Sequence, residues 1–153
     1  MSEIDEYWMR IALKEAAVAA QEGEVPIGAC VVADGELISC AHNRREIDAD
    51  PAAHAEFLAM EEAARKLGRW RLTGCTVYVT LEPCFMCAGL MINSRIDRCV
   101  YGAADPKGGA LGTLYDLSND VRLNHAFDVT AGICAEESAQ QLREFFRNRR
   151  KKK

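Results

Sequence analysis

Apolar residues recur at helical spacing at the start of the chain, where Ile4, Trp8, Ile11, Ala12, Ala16 and Ala19 line one side of residues 3–22 and Gly23 follows. That stripe predicts an amphipathic helix packed on a sheet. The period then changes. Residues 25–33 and 37–42 are apolar runs separated by Asp34-Gly35-Glu36, and Asp-Gly between two such runs signals a hairpin. Residues 43–50 are polar and read as a loop. Helical spacing returns in Ala53, Phe57, Met60, Ala64 and Leu67, closed by Gly68. With Asp50 as cap and Pro51 as the first helical residue, His54 falls in the first turn of that helix.

Residues 75–81 are rich in β-branched and aromatic side chains and predict a strand, after which Pro83 opens a helix over about 84–93. A strand over 98–101, a glycine-rich loop over 103–112 with a turn at Asp105-Pro106, and a last strand over 127–133 follow. Ala135, Ala139, Leu142, Phe145 and Phe146 then mark a terminal helix that runs into a basic end. No internal repeat or linker interrupts the pattern. A hairpin followed by alternating helices and strands predicts an α/β fold, a mixed sheet of about five strands covered by helices.

At 153 residues and 49% hydrophobic, the chain fits one domain spanning 1–153 with a core of its own. Seven cysteines are an odd number, no basic leader opens the chain, and no apolar run approaches the roughly 18 residues of a membrane span. The expectation is a soluble protein of a reducing cytoplasm, without membrane contact. A net charge of −4 conceals polarity, because residues 143–153 carry +6 and the remainder −10. Such an end is either a phosphate-binding footprint or a solvated tail.

The candidate chemistry lies in His54-Ala55-Glu56 and in Pro83-Cys84-Phe85-Met86-Cys87. One imidazole and two thiolates give zinc three ligands and leave a corner of the tetrahedron open, the arrangement of catalytic sites. Glu56 is too near His54 in sequence to share a helical face with it, so a proton-carrying role beside the metal fits better than ligation. Helix N-termini favour thiolates, which suits Cys84 and Cys87 behind Pro83. Two other readings compete. Cys84 and Cys87 alone resemble a thioredoxin-like redox pair. A closed structural zinc site would recruit a fourth ligand from His42, Cys30, Cys40, Cys75, Cys99 or Cys134, although these cysteines read first as core residues and His42 as a hydrogen-bonded one.

H-x-E with P-C-x-x-C is the signature of the zinc-dependent nucleobase deaminases, and the chain resembles their bacterial tRNA adenosine deaminase branch over nearly its whole length. The resemblance is carried by residues 24–29, Asn43-Arg44, 50–56, 78–84, 86–89, 93–96, Asn124-His125 and Phe145-Phe146-Arg147. It implies a cytidine deaminase-like three-layer α/β/α sandwich around a mixed five-stranded sheet. It also implies one Zn2+ per subunit on His54, Cys84 and Cys87, a homodimer, and Glu56 as the group that moves protons. The implied reaction is hydrolytic conversion of adenosine to inosine at the wobble position of an arginine tRNA anticodon, on a nucleotide flipped out of its loop. Asn43, the Ala55 backbone amide, Asp105 and Asn124 match positions that hold the nucleotide or its neighbours, and Lys107, Arg147, Arg149 and Arg150 are candidate contacts to the RNA backbone. Taken without the resemblance, Asn43 and Asp105 read as turn residues. Phe57 and Ala104 depart from the family's usual residues. The segment Ala88-Gly89-Leu90-Met91-Ile92 serves either the core or a subunit interface. Deamination of a free base or nucleoside, and a non-catalytic zinc-stabilised RNA-binding module, remain the alternative functions.

Overall fold

The computed structural model describes residues 2–151, so Lys152 and Lys153 of the basic tail lie outside the described residues. The elements in chain order are α1 (Ser2–Gln21), β1 (Gly28–Ala33), β2 (Glu36–His42), α2 (Ala55–Leu67), β3 (Cys75–Leu81), α3 (Phe85–Ser94), β4 (Arg98–Ala103), β5 (Asp128–Thr130) and α4 (Ala135–Lys151). The strands form one sheet in the order β2-β1-β3-β4-β5. β1 pairs antiparallel with β2 and β3, whereas β4 pairs parallel with β3 and β5. The expected mixed five-stranded sheet is present.

The inner strands are apolar on both faces because both faces are covered. Ala29, Val31, Val77, Val79, Cys99 and Tyr101 pack with Ala59, Met60 and Ala63 of α2 and with Ala88 and Met91 of α3. Their sequence neighbours Cys30, Val32, Tyr78 and Val100 pack on the opposite side with Met9, Ala12 and Leu13 of α1. This alternation makes three layers. α4 lies on the α1 face, where Ser138 donates its hydroxyl to the Thr80 carbonyl and the Gln141 amide donates to Leu13 O at 3.1 Å. The start of α1 is tied to the sheet by buried Asp5, which accepts hydrogen bonds from Tyr78 at 2.8 Å and, in a bidentate pair, from Arg98 at 2.9 and 2.7 Å. Gly28 sits so close to α1 that a Cβ there would overlap the Ala12 carbonyl.

Several boundaries differ from the sequence reading. α2 starts at Ala55, not at Pro51, because Asp50 spends its side chain on an Asx turn with the Ala52 amide at 2.9 Å. His54 is therefore the N-cap rather than a first-turn residue. α3 likewise starts at Phe85 with Cys84 as its cap. β1 begins at Gly28 rather than Val25, β4 runs on to Ala103, and β5 shrinks to three residues. On α2 the buried face is Ala55, Glu56, Ala59, Met60 and Ala63, which puts Phe57 at its margin.

All seven cysteines are free. Cys30, Cys75 and Cys99 are buried, Cys40 and Cys134 half-buried, and burial pushes the Cys30 thiol up to about 12. They behave as small apolar residues. His42 is hydrogen-bonded, held between Glu15 at 3.0 Å and Glu22 at 2.9 Å.

Candidate metal centre and substrate pocket

Two helix starts build the metal centre. His54 and Cys84 have extended backbone conformations, with φ, ψ of −80°, 149° and −80°, −179°. Each offers its carbonyl to the first helical hydrogen bond, from Leu58 at 3.0 Å and from Ala88 at 2.9 Å. Both side chains thus leave the chain where a strand-to-helix connection turns inward, and Cys87 follows in the first turn of α3. His54 Nδ1 lies 3.6 Å from Cys84 Sγ and 3.6 Å from Cys87 Sγ, and the three ligand atoms fall within 4.8 Å of one another.

Among the described residues no fourth histidine, cysteine or carboxylate joins this group. A closed structural site is therefore not built here, and a redox pair of Cys84 and Cys87 does not account for three ligand atoms converging beside the buried Glu56. The donors suit zinc in kind, number and spacing. The Cys84 thiol is lowered to about 3 by the hydrogen bond from the Cys87 thiol and then by the His54 ring, against its burial. Cys87, which keeps the shared proton and is buried, is raised.

Glu56 is 4% exposed and sits in the first turn of α2, pointing to the same centre. Burial pushes its carboxyl up to about 7, outweighing the pull of the His54 charge. A carboxyl in this position is a candidate proton carrier for chemistry at the centre.

A cavity of about 190 Å³ opens above these groups, lined by Val25, Ile27, Asn43, Arg45, Leu81, Glu82 and Asp105 together with His54, Glu56 and Cys84. Its wall is apolar with a few convergent polar groups, as in small-molecule sites. Asn43 is buried, its amide donating to Val25 O at 3.3 Å and accepting from the Arg45 N–H at 3.1 Å. The turn-forming role and the pocket-lining position coexist in this residue. Asp105 likewise closes a turn, its Oδ1 accepting from the Lys107 and Gly108 amides at 3.0 and 3.2 Å, while facing the cavity. Ala55 is buried at the start of α2 between two pocket residues.

The other sequence candidates are not brought to this cavity. Asn124 is exposed on the loop before β5, Lys107 is exposed beside Asp105, and Arg147, Arg149 and Arg150 are exposed on α4.

Two residues that line the pocket, Arg45 and Glu82, and one that supports its rim, Glu24, have no role assigned from the sequence. Arg45 stands exposed at the cavity, and its only signal was the Asn43-Arg44-Arg45 run. Glu24 and Glu82 are 1% and 2% exposed. Glu24 accepts the Glu46 and Ile47 amides at 3.3 and 2.7 Å. Glu82 accepts the amides of Asp105, Leu111 and Thr113 at 3.0, 3.1 and 3.1 Å, and the Thr113 hydroxyl donates to it as well. Both acids stand close before a proline, in Glu24-Val25-Pro26 and Glu82-Pro83. That is a weak signal.

Comparison with known proteins agrees with this geometry. The chain is 52% identical over 149 residues to a tRNA-specific adenosine deaminase of Bacillus subtilis (strain 168), covering 97% of this chain and 92% of the relative. A solved structure of tRNA:A34 deaminases, described as editing A to I at the wobble position of transfer RNA, superposes with a TM-score of 0.86 at 44% identity, over 89% of this chain and 99% of the other. Guanine deaminase from Bacillus subtilis is more distant, with a TM-score of 0.62 and 34% identity over 65% of this chain and 64% of its own. Residues 2–103 match the family model of the cytidine and deoxycytidylate deaminase zinc-binding region, and with it the chain belongs to the zinc-binding deaminase family.

Proposed function

We propose that this protein is a zinc-dependent hydrolase that deaminates adenosine to inosine at the wobble position of a tRNA anticodon, with an arginine tRNA as its substrate. The carrying observation is the cluster of His54, Cys84 and Cys87 without a fourth protein ligand, next to a buried Glu56 and beneath an open cavity. Likeness to tRNA-specific adenosine deaminases over almost the full chain supports the choice of substrate.

The three ligands hold one zinc per subunit, which supplies a Lewis acid able to make water nucleophilic near neutral pH. Glu56 moves two protons in turn: its carboxylate takes one from the attacking water and delivers it to the purine ring nitrogen, then takes the second from the hydroxyl added at C6 and delivers it to the amino group, which leaves as ammonia. Oxygen replaces nitrogen at C6 and inosine results. Asn43 and the Ala55 amide orient the base, and Val25, Ile27 and Leu81 exclude bulk water from its faces. A base stacked in an anticodon loop cannot reach this floor, so the nucleotide enters flipped out. Asp105 and Asn124 serve the flanking nucleotides, and Lys107, Arg147, Arg149 and Arg150 the phosphates.

Residues 1–153 form one deaminase domain, a reading supported by the single continuous sheet. The working form is a homodimer in the cytoplasm. Half-buried Leu90 and Ile92 of α3, and an apolar groove between α2 and α3 beside exposed Trp70, support an interface there. No helix among the described residues is long and apolar enough to cross a membrane.

The experiment is a direct comparison of substrates. Zinc-loaded protein is incubated with an arginine tRNA anticodon stem-loop and, separately, with free adenosine, guanine and cytosine, and ammonia release is followed. Turnover on the stem-loop alone is expected. Faster turnover of a free base would put the protein with the guanine deaminase type of enzyme, and binding of RNA without ammonia would make it a zinc-stabilised binding module.

A further inference from the structure

We propose that Glu82 is a positioning residue whose buried carboxylate holds the 105–113 loop against the end of β3 and so sets where Asp105 stands on the pocket wall. The inference rests on the tRNA deaminase reading and deepens it. The loop has little regular structure: Ala110 and Leu111 are held in the core and by pairing with residues 115–117, and its attachment to the end of β3 runs through residues 82 and 83. The Glu82 amide donates to Ala103 O at 2.8 Å, and Pro83 O accepts the Ala110 amide at 2.9 Å. Between those backbone bonds the carboxylate takes four donors. Oε1 accepts the Asp105 amide and the Thr113 hydroxyl, and Oε2 accepts the Leu111 and Thr113 amides. No cation is among these partners. Gly109 completes the fit, because a Cβ there would overlap the carboxyl group.

The division of donors between the two oxygens makes the idea specific. A carboxylate is acceptor-only and can satisfy all four, whereas an amide offers one acceptor oxygen and one donating NH2. In Glu82→Gln the amide oxygen best occupies the Oε2 site, where two backbone N–H groups leave no alternative. Its NH2 then takes the Oε1 site. The Thr113 hydroxyl can turn and accept there, but the Asp105 N–H cannot. The substitution therefore releases the backbone of Asp105 while keeping the rest of the loop attached. A pocket wall displaced in this way weakens substrate positioning more than it disturbs the metal floor.

The test measures steady-state kinetics on the anticodon stem-loop, zinc content and amide hydrogen exchange for Glu82→Gln, for Asp105→Ala and for the double variant. The expected result is a KM raised about tenfold in Glu82→Gln, with the smaller change in kcat, one zinc per chain and faster exchange confined to the 105–113 segment. In the Asp105→Ala background Glu82→Gln should add almost nothing, because the route through Asp105 is already gone. Gly109→Ala, which displaces the same carboxyl from the other side, should repeat the KM effect if Glu82→Gln does not fold. Additive effects in the double variant, or loss of zinc with activity, or unchanged kinetics over a loosened loop, would each overturn the assignment. Failure of the wild-type protein to deaminate the stem-loop would instead overturn the substrate reading, while the exchange result on 105–113 would still report on the clamp.

Discussion

The floor and the rim of the pocket are fixed by different forces. His54, Cys84 and Cys87 owe their places to the first residues of two helices, where backbone geometry is set within one turn. Asn43, Arg45 and Asp105 stand on irregular segments that are pinned from below by the buried carboxylates of Glu24 and Glu82. Local geometry secures the atoms that must hold a metal. Long-range hydrogen bonds secure the pocket wall, where the proposed function places the substrate. A fold that separates the two can change what it binds while keeping one chemistry, which agrees with its likeness to both adenosine and guanine deaminases.

The largest effect should come from breaking the floor. Cys84→Ser or His54→Ala removes one of three ligands, so metal analysis should find zinc lost and turnover at background, with the stem-loop still bound. Damage to the rim should be smaller and of another kind. Glu24→Ala leaves the Glu46 and Ile47 amides without their buried acceptor, and denaturant unfolding should report a loss of about 1–3 kcal/mol with zinc content unchanged.

The root of the same rim segment responds to pH. His42 precedes Asn43, and although burial lowers its pKa, the hydrogen bonds to Glu15 and Glu22 outweigh that and raise it above 6.5. A raised folded-state value means that the protonated pair stabilises fully below 6.5 and that its contribution fades as pH rises through the folded value. The stability difference between wild type and His42→Gln should therefore hold constant below pH 6.5 and narrow as pH rises above it. An unchanging difference would mean that the imidazole acts as a neutral donor only. The smallest effect belongs to the tail: replacing Arg147, Arg149 or Arg150 by alanine should each weaken tRNA binding a few-fold and flatten the logarithmic salt dependence by about 0.7 to 0.9 for every phosphate no longer neutralised.

How far the sequence reveals this division depends on distance along the chain. His54, Glu56, Cys84 and Cys87 are readable because each pair lies within one helical turn and its spacing is the chemistry. The start of α2 falls four residues beyond the expected one, since Asp50 and Pro51 imitate a helix start while forming an Asx turn. The three-layer arrangement is what the family resemblance implies, whereas a sheet covered by helices is legible as well, because inner strands buried on both faces leave continuous apolar runs. Glu24 and Glu82 are not, because their partners lie 22 to 31 residues away and a lone acid before a proline shows nothing of what it accepts. Asn124 is a candidate through family resemblance and the α4 arginines through the charge of the basic end, and in this fold none of them lines the cavity.

The central claim is that Glu56 works beside the metal and not on it. The most direct measurement is zinc content and inosine yield on one preparation of Glu56→Gln, with nucleosides of the anticodon stem-loop separated and weighed by mass spectrometry. The account predicts one zinc per chain, as in the wild type, and inosine formation reduced by a factor on the order of 10²–10⁴. Zinc lost together with activity, or inosine formed at the wild-type rate, would contradict it.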